Sequence, residues 1–64
     1  MYLLERALAL FEEHDINIDT ARELYQLEQM AEGEEFFKIV RLWEDFSNRA
    51  EEEVFLQAWN EGLI

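Results

Sequence analysis

No proline interrupts this chain, and only two of its 64 residues are glycine. Small sheet-rich folds turn on those two residues, so a chain this poor in both favours helices and short connections. Apolar spacing agrees. In MYLLERALALFEEH, successive residues step about 100° around a helix, which gathers Leu3, Leu4, Ala7, Leu8, Leu10, Phe11 and His14 into one arc. Glu5, Arg6, Glu12 and Glu13 fall outside it, and the pattern predicts a helix over about 2–14. TARELYQLEQMAEG predicts a second helix over about 19–32, with Ala21, Leu24, Leu27 and Ala31 as its stripe. Met30 sits at one margin, and Tyr25 and Glu28 lie on the other side. Gly33 is the natural stop, because glycine takes a left-handed backbone without strain.

Between these segments lies DINID, with oxygen-bearing side chains at Asp15, Asn17 and Asp19. That spacing matches the first three ligand positions of an EF-hand calcium loop. The loop also needs glycine at its sixth position and a bidentate glutamate at its twelfth. Here those places hold Thr20 and Gln26, so the demanding positions are not met. No metal or other cofactor is expected. The stretch reads instead as a turn in which Asn17 or Asp19 caps the following helix. His14 is the sole histidine and has no second imidazole for a metal site; near a helix C-terminus it complements the dipole.

The remainder, EEFFKIVRLWEDFSNRAEEEVFLQAWNEGLI, poses the main architectural choice. Ser47 and Asn48 can end one helix and cap another, with Asn48 and Glu51 spaced as a capping box. Against that stands a ladder of alternating charge, Arg41, Asp45, Arg49 and Glu53, with Glu34 and Lys38 as a further pair. Each such pair is worth about 0.2–0.5 kcal/mol and meets only on an unbroken helix. On this basis one long helix over about 34–60 is preferred, its broad face formed by Phe36, Ile39, Val40, Trp43, Phe46, Ala50, Val54 and Ala58. A kink or break near Ser47 is the alternative. Trp43 and Trp59 would lie about 160° apart on a straight helix, so either the chain bends or one indole faces another molecule. The expected fold is all-α: one domain over residues 1–64, a helical hairpin with a long third helix.

Half the residues are hydrophobic, too many for a disordered chain. A core of this size is marginal, and with no cysteine there is no disulfide to brace it. Self-association, as a homodimer, or a partner surface would supply the missing burial. The longest apolar run, ALALF, is far short of a membrane span, and Glu5 with no basic region argues against a secretory signal. A soluble cytoplasmic protein is the expectation.

Charge is the outlier: sixteen acids against five bases give −11. Direct contact with nucleic acid or an anionic membrane is disfavoured, and a basic partner is favoured. Parts for catalysis are missing: there is no cysteine nucleophile, no glycine-rich phosphate loop and no histidine pair, and Ser47 is the sole serine. The expectation is therefore not an enzyme. The acids instead form three groups: Glu12, Glu13, Asp15 and Asp19; Glu28, Glu32, Glu34 and Glu35; and Glu51, Glu52 and Glu53. Rows of carboxylates at helical spacing present a phosphate-like field able to occupy the basic groove of a nucleic-acid-binding protein. The simpler reading is a solvated coat that keeps the domain soluble. In charge and size the chain resembles small acidic phage inhibitors, such as anti-restriction and anti-CRISPR proteins. No motif accompanies that resemblance, so it assigns no residue. The alternative function is an assembly subunit that associates through Phe37, Phe55 and Trp59, with Trp59 an interface residue in either case.

Overall fold

A computed structural model of the protein describes residues 1–12 and 15–64. The described residues form four helices and no strand: α1 (Tyr2–Leu10), α2 (Ile18–Met30), α3 (Gly33–Arg49) and α4 (Glu52–Asn60). The all-α class and the opening hairpin are as expected. The single long third helix is not.

Two contacts set the directions of the first three helices. The Leu4 amide donates to Glu35 Oε2 at 3.1 Å, joining the starts of α1 and α3. Arg49 Nη1 donates to the Phe11 carbonyl at 2.8 Å, joining their ends, with its guanidinium 5.7 Å from the Phe11 ring centroid. Thus α1 and α3 run the same way and α2 runs back between them, while α4 folds onto α2. Two clusters result. One holds Ala7, Leu24, Leu27, Ala31, Ile39 and Leu42 between α1, α2 and α3. The other holds Ala21, Phe46 and Ala58, closed by Ile16, Ile18, Val54, Phe55 and Leu63. Phe11 and Trp43 touch both clusters.

The predicted α2 stripe is buried in full: Ala21, Leu24, Leu27 and Ala31. Its start is fixed by Asn17, whose Oδ1 accepts from the Thr20 amide at 3.1 Å while the Asn17 amide donates to Thr20 Oγ1 at 3.3 Å. This reciprocal cap satisfies two backbone donors that a helix start leaves unpaired. Gly33 does not stop α2, which ends at Met30 with an extended Ala31 as its cap; it opens α3 at φ 61°, in the left-handed region that glycine takes without strain.

Several sequence expectations need correction. The first helix ends at Leu10, with Phe11 and Glu12 in a turn, rather than near residue 14; Glu13 and His14 lie outside the described residues. On α1 the buried line is centred on Ala7, and Leu8, about 100° away around the helix, is left exposed. On α3 the buried face includes Leu42, which lies on the flank away from Val40 and was not assigned to the core.

The largest correction is the break at Ala50 and Glu51, whose ψ values of 144° and 156° are extended. It falls three residues beyond Ser47, and the cap is Glu51 rather than Asn48, with no side-chain capping bond. Energetics explain why the charge ladder misled. Breaking the helix separates Arg49 from Glu53, a pair worth about 0.2–0.5 kcal/mol. In exchange Ala58 is fully buried, and Val54, Phe55 and Leu63 pack beside Phe46. Covering one large apolar side chain contributes about 1.5–3 kcal/mol when complete, so even half-burial of several outweighs one surface pair.

The far end of α4 closes on a signal already in the sequence. The Leu63 amide donates to the Ala58 carbonyl and the Gly62 amide to the Trp59 carbonyl, both at 3.0 Å, with Gly62 at φ 77°. These are the paired bonds of a Schellman motif, and Leu63 packs back against Ala58 as that motif favours.

Candidate interaction surface

Helix placement decides what each acid can do. Every helix carries acids in its first turn: Glu5 on α1, Asp19 on α2, Glu34 and Glu35 on α3, Glu52 and Glu53 on α4. A carboxylate there faces the positive end of the helix dipole, which offsets part of its repulsion with its neighbours. Glu35 goes further, because it is half-buried and accepts the Leu4 amide from another helix. It stands in for the side-chain cap that Met1 does not provide to α1. Glu35→Ala is therefore expected to lower stability by about 1 kcal/mol, the usual loss of a capping acceptor, measurable by urea denaturation.

The three sequence groups resolve into two ends of the bundle. Glu28, Glu32, Glu34 and Glu35 surround the α2–α3 junction, beside the start of α1. Glu12, Asp15 and Asp19 lie at the opposite end, around the α1–α2 turn. Because Arg49 is tied to Phe11, the start of α4 with Glu51, Glu52 and Glu53 is at that end also. Glu12, Asp15, Asp19, Glu32, Glu34, Glu51, Glu52 and Glu53 are exposed, whereas Glu28 and Glu35 are half-buried. Glu13, also assigned to the interaction surface, lies outside the described residues.

The bases are largely engaged within the molecule. Arg22 grips Glu61 through two bonds, Nε to Oε1 at 3.0 Å and Nη2 to Oε2 at 2.9 Å, and reaches Asp19 at 3.3 Å. Lys38 pairs with Glu34 at 3.6 Å, and Arg6 stacks over Tyr2 with its guanidinium 5.9 Å from the ring centroid. The Arg22–Glu61 clamp joins the start of α2 to the end of α4 across 39 residues, so no local pattern could have announced it. Donation from Arg22, then from Gln57, holds the Glu61 carboxyl below its ordinary value, and Glu61 in turn raises Arg22. A depressed carboxyl stabilises the fold in full above its unfolded value of about 4.3, and that contribution is lost as pH falls through the folded value. Glu61→Gln should thus lower the thermal midpoint at neutral pH. The difference from the parent should vanish in acid, once Glu61 itself is protonated.

Surface hollows offer little chemistry. One of ≈ 300 Å³ is lined by Leu10, Asn17, Asp19, Thr20 and Glu23. Most of its polar groups are already occupied, Asn17 and Thr20 with each other and Asp19 with Arg22. Among the described residues, no group of three or more acidic, histidine or cysteine side chains is arranged to hold a metal ion. No helix among them is long and apolar enough to cross a membrane.

Exposed apolar side chains are the other surface feature. Phe37 is 67% exposed and Trp59 62% exposed, with Leu56 beside Trp59 on α4. Phe37 lies in a hollow of ≈ 510 Å³ with Gly33, Glu34, Lys38 and Arg41. Trp43 is half-buried, touching both core clusters, and meets Phe46 edge-on at 5.3 Å. Bending the chain therefore did not bring both indoles inward, because the face α4 turns to α2 is that of Val54 and Ala58. Comparison with family models, curated proteins and solved structures returns no match to this chain. Geometry and charge alone carry the functional reading.

Proposed function

We propose that this protein is a non-enzymatic inhibitor that occupies the basic, nucleic-acid-binding surface of a partner protein. The observation that carries the reading is the asymmetry of charge engagement. Arg22 and Lys38 are neutralised by internal pairs, and Arg49 is turned onto the end of α1, while most carboxylates stand in solvent. What reaches a partner is a field of nearly one sign. Such a field raises association rates with a basic surface and opposes binding to nucleic acid itself. Unpaired acids at this density also work against the compact state through mutual repulsion, which favours a use for them beyond solubility.

The test separates the two ends. Glu12→Lys with Glu13→Lys alters one end, and Glu28→Lys with Glu32→Lys alters the other. Binding to a basic partner captured from the native host at low salt should weaken by about tenfold or more at the end that docks. It should also weaken as salt rises, since charge steering is screened over about 8–10 Å at ordinary ionic strength. Glu12→Lys should not harm the fold, because a cation just beyond α1 complements the helix C-terminus. If both double reversals, and Glu51→Lys with Glu52→Lys as a third, bind as the parent does, the acids are a solubilising coat and the reading is wrong.

A second reading, an assembly subunit that self-associates through aromatic residues, is favoured by the exposure of Phe37 and Trp59. Phe55, the third residue of that set, is half-buried against the Phe46 cluster and offers less to a partner. Sedimentation at rising concentration tests it: a dimer that Trp59→Ala dissolves would support assembly.

A further inference from the structure

Three aromatics are exposed among the described residues; Tyr2 lies under the Arg6 guanidinium, and the surroundings of the other two, Phe37 and Trp59, select one of them. Phe37 has Lys38 and Arg41 beside it on the outer face of α3. Trp59 stands on a helix that contains no base at all, with Glu51, Glu52 and Glu53 exposed at its start, while Glu61 at its end is held by Arg22. At about 100° per residue, Leu56, Glu52 and Trp59 fall within about 60° of one another around α4, each about 100° or more from the buried Ala58. The result is a short apolar ridge rimmed with carboxylates.

We propose, resting on the inhibitor reading above, that this outer face of α4 is the anchor of the acidic interface, with Trp59 seated in an apolar pocket of a basic partner protein. Interface energy concentrates in a few large side chains, tryptophan foremost, enclosed by a polar rim that excludes water. Here the rim is acidic, so the complementary surface is a pocket ringed by lysine or arginine. A second copy of this chain fits poorly. Pairing α4 with α4 brings two chains of charge −11 together with their acid-rich helices in contact, and neither α4 offers a cation. Free nucleic acid is disfavoured for the same reason.

The test uses two helical peptides of about 18 residues with equal lysine content, one with a leucine stripe and one with alanine in its place. Calorimetry on the intact protein should show the lysine–leucine peptide binding about tenfold more tightly, the scale of one tryptophan anchor. In a Trp43→Phe background, whose helicity is checked first, Trp59 emission should shift to the blue on binding. Trp59→Ala should abolish the tenfold preference and leave binding of the lysine–alanine peptide and its salt dependence intact. Phe37→Ala should change neither. Equal binding of the two peptides, unaffected by Trp59→Ala, overturns the anchor and leaves the acidic reading standing. Failure of both peptides to bind overturns both. A blue shift produced by raising protein concentration alone, with a dimer lost in Trp59→Ala, assigns the face to a second copy and overturns the proposal.

Discussion

Phe46→Ala should cost the protein a large part of its stability. Phe46 is 0% exposed, meets Trp43 edge-on, and is the largest side chain in the cluster that holds α4 to the bundle. Truncating a buried phenylalanine costs about 3–5 kcal/mol, from lost transfer energy and the cavity left behind. A domain of this length has a total stability of roughly 3–10 kcal/mol at 0.05–0.15 kcal/mol per residue. The substitution therefore removes a large part of what there is. Phe37→Ala is the control, since Phe37 is mostly exposed and should shift stability by no more than about 0.5 kcal/mol. Urea denaturation followed by circular dichroism reads both. Comparable losses in the two variants would mean that the Phe46 cluster does not hold the fold together.

The second large effect is a contrast between two prolines four residues apart. Asn48 lies in the last turn of α3, where proline loses a backbone bond and clashes with the carbonyl four residues earlier, at about 3 kcal/mol or more. Glu52 is the first residue of α4, where proline is well tolerated because its amide has no helical partner to lose. Glu51 before it already has the extended backbone that a following proline demands, at φ −68° and ψ 156°. Glu52→Pro should thus change stability by less than about 1 kcal/mol, most of it from the lost carboxylate at the helix start. On an unbroken third helix both prolines would be severe. A severe Glu52→Pro would restore the long helix that the charge ladder suggested.

That ladder shows where legibility ended. The α2 stripe and the Asn17 cap were readable because each depends on neighbours within a turn or two of chain, whereas α2 ends at Met30 with Ala31 as its cap and Gly33 opens α3 instead of closing α2. The break was misjudged because local charge pairs were visible while the reward for folding α4 back, burial of Ala58 against Ala21 and Phe46, joins residues far apart in sequence. Gly62 followed by Leu63 could have been read as a helix terminator, and with α4 so ended a short fourth helix would have been easier to see. Glu35 shows the same limit for the candidate surface. Its sequence neighbours mark it as one acid in a run, and only the fold reveals that it caps α1. Arg22 and Glu61 carried no sequence signal at all, yet their clamp removes one base and one acid from whatever a partner meets.

The distribution of acids between two ends also sharpens the functional reading. A partner with a single continuous groove can engage the end that unites Glu12, Asp15, Asp19 and the start of α4, where the Trp59 helix begins. The opposite end, with Glu35 committed to α1 and Glu28 half-buried, offers fewer free carboxylates. Charge reversal at the first end is accordingly expected to have the greater effect.

Mutual exclusion tests the central claim most directly. The captured basic partner is loaded with labelled duplex DNA, and this protein is added in increments while anisotropy is followed. If its carboxylates stand where phosphates would, DNA is released in step with complex formation, and excess DNA displaces the protein in turn. A stable ternary complex, with DNA and this protein held together, would contradict the account.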